Sequence, residues 1–137
     1  MAASVSKPPP VPTRETQPYW EGCKQHELRI QKCAACGHHQ FYPRLYCTAC
    51  VSERVEWIKA SGHGKVLSFT IVYRPPSQGF AGEVPYVVAL ITLDEGPQMM
   101  SNIVGCAPEQ VHIDMPVEVT FEDWTEEIAV PKFKPAQ

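Results

Sequence analysis

The sequence has no long apolar run. Nothing in its 137 residues approaches the roughly 20 consecutive apolar residues of a membrane-spanning helix. That excludes a helical span within it. The opening stretch, MAASVSKPPPVPTRE, lacks the apolar centre of a secretory signal, so a cytoplasmic setting is expected. A basic excess is missing too: 12 Lys and Arg stand against 15 Asp and Glu, a formal charge of −3. Nucleic-acid binders need a basic stripe to neutralise phosphates, and this balance argues against that role. The usual catalytic signatures are absent. There is no Ser-His-Asp logic, no phosphate loop and no spacing that pairs two carboxylates.

What the sequence does have is clustered cysteine. Four of its six lie in CAACGHHQFYPRLYCTAC, at Cys33, Cys36, Cys47 and Cys50. In a reducing compartment such a cluster reads as metal ligands rather than disulfides. Each C-x2-C is a tight knuckle that points two sulfurs at one spot. The intervening residues, with Phe41, Tyr42, Pro43 and Arg44, suit a short hairpin that folds one knuckle onto the other. Four thiolates around one tetrahedral Zn²⁺ follow, with no open position for water and hence a structural metal. A hairpin this small is marginal alone, and a structural zinc supplies on the order of 10 kcal/mol. A rubredoxin-type iron would use the same ligands. His38 and His39 read as surface residues of the ribbon.

Around the cluster the pattern is mostly β. Residues 1–15 are rich in Pro, Ser and Ala and predict a disordered lead. Thr16 can cap a short helix with Pro18 in its first turn, and Tyr19, Trp20 and Cys23 give that helix an apolar face. Leu28 and Ile30 start a strand that runs into Cys33, and Val55 and Trp57 suit a strand leaving the ribbon. Leu67, Phe69, Ile71 and Tyr73 alternate with Val66, Ser68, Thr70 and Val72, the first set expected inward. YVVALITL, from Tyr86 to Leu93, is apolar on both faces. Met99 to Val104 is a third run, and Val117, Val119 and Phe121 mark a fourth. Turns fall at Gly62-His63-Gly64, at 75–79 and at Asp94-Glu95-Gly96-Pro97, with one helical turn at Pro108 to Gln110. Five short strands with one long connection fit a Greek-key barrel of OB type. The long loop from Arg74 to Pro85 is a candidate binding loop or a plain hairpin connection.

These residues closely resemble a known family. PYW, LRIQKCAACG, FYPRLYCTAC, SGHGKVLSFTIVYRP, VPYVVALITLDEGPQMMSNIVG and PKFKP are similar in order to the zinc-ribbon OB-fold proteins of acyl-CoA metabolism, a domain-of-unknown-function family. The likeness covers residues 16 to 135. It implies a mainly β fold: a short helix, a rubredoxin-like zinc ribbon and a five-stranded OB barrel. The expected bounds are 16–53 for helix and ribbon, 54–131 for the barrel and 132–137 for a tail. It also implies an accessory subunit that joins a thiolase-superfamily enzyme in a hetero-oligomer making or breaking carbon–carbon bonds on acyl-CoA thioesters, a steroid side-chain aldolase among the settings. The carbon chemistry would belong to the partner.

The remaining candidates also suit plainer roles. Cys106 reads as a small buried thiol rather than a nucleophile, and His63 as a turn residue rather than a base. Coenzyme A needs cations beside an aromatic wall. Arg44, Lys59, Lys65 and Arg74 could supply the first, and Tyr42, Phe80 and Tyr86 the second, although each also suits an ordinary surface or core position. Tyr19, Trp20, Tyr86 and Val88 offer apolar area for a partner, unless helix and strand cover each other. The alternative reading is a stand-alone OB barrel that binds single-stranded nucleic acid or acyl-CoA.

Overall fold

The computed structural model describes residues 11–41, 43–74, 82, 84–126 and 128–136. Residues 1–10 of the expected lead, Tyr42, and Phe80 with most of its loop lie outside the described residues. Helix α1 (Gln17–Lys24) carries Pro18 in its first turn, where the missing N–H has no helical partner to lose. Thr16 precedes it as expected, but its hydroxyl accepts the Thr13 N–H at 2.8 Å and caps no helix amide. Residues 14–16 form a turn, so order begins before the expected boundary.

The ribbon is a three-stranded antiparallel sheet. Strand β1 (Arg29–Cys33) lies between β2 (His39–Gln40) and β3 (Val55–Lys59). The barrel comprises β4 (His63–Val72), β5 (Tyr86–Leu93), β6 (Gln98–Ile103), β7 (Pro116–Asp123) and β8 (Ala129–Pro135). It closes in the order β4-β5-β6-β8-β7, with β7 returning to β4. Closure leaves no free sheet edge.

Five barrel strands are therefore present, but their membership differs from expectation. Val55–Lys59 pairs with β1 and belongs to the ribbon. The fifth barrel strand is β8, over AVPKFKP, so residues 132–135 are barrel and not tail. Pro131 and Pro135 are unusual inside a strand. They are tolerated because β8 runs the length of β7 but meets β6 at one described pairing, Ile103 with Phe133. Phe133 is fully buried.

The phase of β4 also differs. A β-bulge between Val66 and Ser68 absorbs one residue. Val66 is buried and Leu67 exposed, the reverse of the expectation, whereas Phe69 and Ile71 beyond the bulge do pack on the core. Tyr73, expected inward, is exposed past the strand end. Strand β5 follows its period, with Val87, Ala89, Ile91 and Leu93 buried. Core residues run without a break from Tyr19, Leu28 and Ile30 to Ile91, Val117 and Phe133. Ribbon and barrel thus share one apolar interior, tied at the joint by the Ala60 N–H donating to the Leu28 carbonyl at 2.8 Å.

Candidate functional site

The two knuckles repeat one backbone pattern. Cys33 N–H donates to the His38 carbonyl and Gly37 N–H to the Cys33 carbonyl, both at 2.8 Å. Cys47 N–H donates to Ser52 at 2.8 Å and Val51 N–H to Cys47 at 2.9 Å. Each knuckle then turns through a left-handed residue, Gly37 at φ 81° and Val51 at φ 65°. This brings the four Sγ atoms within 4.8 Å of one another. The Cys33–Cys50 and Cys36–Cys47 pairs stand at 3.6 Å, and all four thiols are free. A tetrahedron with zinc–sulfur bonds of about 2.3 Å has edges of about 3.8 Å. The cage fits that geometry and is able to hold a zinc ion, with every coordination position taken by sulfur.

The knuckle amides set the charge on the sulfurs. Cys36 N–H foremost, aided by Ala35 N–H against the push of burial, lowers the Cys33 thiol to about 6. At Cys47 burial raises the thiol, but the Cys50 and Ala49 amides outweigh it. The His38 amide lowers Cys36, yet hydrogen bonds shared with Cys50, Cys47 and Cys33, together with burial, leave it at about 12. The free cage shares protons that a divalent cation displaces.

Two glutamines that the sequence did not flag build the loop around this cage. Gln31 and Gln40 are buried side chains of the ribbon. Gln31 Oε1 accepts from the Arg44 amide and from Gln40 Nε2, and Gln31 Nε2 donates to the Arg44 carbonyl, each at 2.9 Å. Gln40 Oε1 accepts the Thr48 N–H at 2.9 Å, and its Nε2 donates to the Tyr46 carbonyl at 3.1 Å. Gln31 falls on the polar phase of its strand, next to Ile30, so the sequence pattern carried no signal of its burial.

The other candidates fall at separate places. Tyr19 is only 6% exposed. It meets Trp20 and Phe41 edge-on, with ring centroids 4.9 and 5.5 Å away. The structure therefore buries Tyr19 within the chain, where it offers no partner surface, and Trp20 packs beside it on the core. Tyr86 and Val88 lie on the outer face of the barrel. Register there runs Lys65–Thr92–Gln98, then Ser68–Leu90–Met100, then Thr70–Val88–Asn102, then Val72–Tyr86. Met100 is 66% exposed. Arg44 sits in the ribbon loop, Lys65 near the start of β4 and Arg74 two residues past its end. Lys59 is exposed on β3, and His38 Nε2 lies 3.2 Å from Thr48 Oγ1.

Cys23 is fully buried on α1, where burial pushes its thiol up to about 12. Cys106 is half-buried beside a cleft of about 300 Å³, its thiol also raised by burial. Across that cleft Lys132, nearly buried, pairs with Glu122 at 3.0 Å. Asp94-Glu95-Gly96 makes the β5–β6 turn, with Gly96 N–H donating to Leu93 at 2.8 Å. Glu95 does more than turn. Its Oε2 accepts the Ser61 N–H at 2.8 Å in the link between ribbon and barrel. Its Oε1 is buried and has no hydrogen-bond partner among the described residues.

Comparison with known proteins follows the same division. The family description "ChsH2, rubredoxin-like zinc ribbon domain" matches residues 20–56, and "ChsH2, C-terminal OB-fold domain" matches residues 57–122. A DUF35 domain-containing scaffold protein of Methanothermobacter thermautotrophicus is 35% identical, over 82% of this chain and 86% of the relative. A probable enoyl-CoA hydratase alpha subunit of Thermomonospora curvata is 38% identical over 95% of this chain but 40% of its own length. The 3-oxo-4,17-pregnadiene-20-carboxyl-CoA hydratase alpha subunit of Mycobacterium tuberculosis is 37% identical over 85% and 37%. This chain thus spans about two fifths of those two hydratase subunits. A benzoylsuccinyl-CoA thiolase subunit of Geobacter metallireducens is 33% identical over 69% of this chain and 61% of its own. Among solved structures, the Ltp2-ChsH2(DUF35) aldolase superposes with a TM-score of 0.84 at 38% identity, over 93% of this chain and 99% of that one. The chain belongs to the DUF35 family of zinc-ribbon and OB-fold proteins.

Proposed function

We propose that this chain is an accessory subunit, with no catalytic site of its own, that docks on a thiolase-like enzyme acting on acyl-CoA thioesters. Cys33, Cys36, Cys47 and Cys50 hold a structural Zn²⁺ that clamps the ribbon. Trp20, Tyr86 and Val88 contribute to the surface the partner meets, and the working compartment is the cytoplasm. The observation that carries this reading is the outer face of β4, β5 and β6. Its rows set Leu90 beside Met100 and bring Val72, Tyr86 and Val88 onto the same side. Lys65 is the single cation in the described rows. A strand-binding OB face needs a basic groove, and this one instead has the apolar centre of a protein interface, with Lys65 at its rim.

The relatives support the same reading. One is named a scaffold, one a thiolase subunit, and the similar solved structure is an aldolase assembled from two named parts. A hydratase name belongs to two relatives that are more than twice as long, and that activity fits their additional length. A steroid side-chain acyl-CoA is the substrate class favoured for the partner. Contact with coenzyme A itself would fall to Arg74, two residues past the end of β4, with Phe80, Lys65 and Arg44 as further contributors.

Co-expression with a thiolase-like subunit from the same organism tests the proposal. One co-eluting, zinc-containing complex is expected, and Val88→Glu together with Met100→Glu should abolish it while leaving the free chain folded. A chain that stays monomeric beside that enzyme overturns the reading.

A further inference from the structure

The barrel is closed, so the open sheet edges belong to the ribbon. One edge is β2, only 2 residues long. The other is β3, whose 5 residues pair with β1 and with no other strand among the described residues. Hydrogen bonds at both ends of that ladder fix which way its backbone groups point. Ala60 N–H donates to the Leu28 carbonyl and Ala34 N–H to the Arg54 carbonyl, each at 2.8 Å. In an antiparallel pair, residues that bond across the ladder alternate with residues that do not. Between those two ends, the bonds to β1 therefore come from Glu56 and Ile58. The N–H and C=O groups of Val55, Trp57 and Lys59 point the other way, into the open edge. No described residue bonds to them.

We propose that the β3 edge pairs with β3 of a second copy of this chain, antiparallel about a two-fold axis at Trp57. Alternating main-chain donors and acceptors call for an extended backbone, and the outward groups are spaced evenly about Trp57. The two-fold matches Val55 with Lys59 of the second copy, Trp57 with Trp57 and Lys59 with Val55. Each pair exchanges both of its main-chain bonds. The half-buried Trp57 side chains meet across the axis, an aromatic cross-strand pair of the favourable kind. Charge suits the same occupant. Ionic side chains on an edge deter pairing when like charges are opposed. Here the exposed Lys59 lies opposite Val55 and diagonal to the exposed Glu53 of the other copy, while Glu56 lies opposite Ile58. Neither Lys59 nor Glu53 has an ion pair among the described residues. The two Glu56 side chains stand diagonal rather than opposed, the weaker repulsion. One sheet then runs through both ribbons. The contact makes no use of the outer face of β4, β5 and β6, so it is independent of the proposed function.

Sedimentation equilibrium of the zinc-loaded full chain, from about 5 to about 500 µM, should show a reversible monomer–dimer equilibrium. Amide hydrogen exchange over the same range reads the edge directly. Val55, Trp57 and Lys59 should gain protection as the dimer forms, whereas Glu56 and Ile58, bonded to β1, should be protected at every concentration. Lys59→Pro removes an outward N–H and no bond to β1. It should weaken the dimer at least about tenfold, since each copy loses one bond, with zinc content and melting as in the parent. Lys59→Ala keeps that N–H and should still dimerise. A monomer throughout the range overturns the proposal, as does a dimer in which Val55, Trp57 and Lys59 stay unprotected or one that Lys59→Pro leaves as tight. If Lys59→Pro does not fold, the exchange pattern of the parent decides. Protection of those amides by an added enzyme subunit, in a chain that is monomeric alone, overturns the second copy as the occupant.

Discussion

Val51 is the residue under most evident backbone strain. It is β-branched, 73% exposed and held at φ 65°, where its counterpart in the first knuckle is Gly37. A branched side chain is disfavoured there by the clash of Cβ with its own carbonyl. Val51→Gly should therefore raise stability by about 1 kcal/mol, the strain relieved outweighing the entropy glycine adds to the unfolded chain. Thermal melts of the zinc-loaded proteins check this, and a lower midpoint for the variant would contradict it. Cys23 makes a different prediction. Burial first of all lifts its thiol from 9.0 to about 12. Beside it, Tyr19 is raised well above its ordinary 10.0, again by burial first. A raised acid is protonated in the fold, so its contribution is complete below 9 and is lost as pH climbs toward 12. The melting midpoint should fall from pH 9 upward, and Cys23→Ala should flatten that slope. At pH 8 iodoacetamide should leave Cys23 unlabelled in the native protein, as mass spectrometry will read.

At the scale of elements, β4 does the most. It is the strand that pairs with β5 along its length and with β7 at its start, and so closes the barrel. At Gly64 both pairings coincide. A Cβ there would lie 2.6 Å from the Thr92 carbonyl oxygen and 2.9 Å from Ile91 Cγ2. Backbone cannot yield cheaply, so Gly64→Ala should cost about 2–3 kcal/mol, the range for overpacking a tight site. Urea titration measures it, and a loss under half of that would mean the strands part more easily than their register implies. The SGHGKV stretch displays this glycine plainly, yet its reason is not local. It lies in Thr92, distant in sequence and opposite in the sheet. The bulge at Val66/Ser68 was equally hidden, because an unbroken period of two carries no mark of an inserted residue.

For the whole molecule, the decisive feature is that ribbon and barrel share one interior. Tyr19, Leu28 and Ile30 belong to the same apolar cluster as Ile91, Val117 and Phe133. Removal of zinc should not melt the ribbon in isolation. With a chelator, or in Cys36→Ser, amides of β1 and β3 should lose protection from hydrogen exchange completely. Those of β8, against which α1 packs, should exchange about 10–30 times faster, as an interior that has lost one wall requires. Unchanged protection in β8 would show that the two parts stand independently. Zinc readdition should restore both.

Local chemistry was written in the sequence. Two C-x2-C knuckles ten residues apart placed the metal cage, alternation and continuous apolar runs together placed four of the barrel strands, and turn residues placed the β5–β6 corner. The family resemblance rested on those same runs. Spacing and period suffice there because each acts over a few residues of chain. The rest depended on contacts between distant segments. Closure of the barrel admitted AVPKFKP as a strand despite its prolines, since Phe133 fills the core and β7 supplies a partner along its length. Packing of α1 against β8 and β1 took Tyr19 out of reach of any partner. The return of the chain from the ribbon onto the β5–β6 turn set the Glu95 carboxylate to accept the Ser61 N–H, 34 residues away in sequence. Register, closure and burial are properties of paired surfaces, and only the tertiary structure brings those surfaces together.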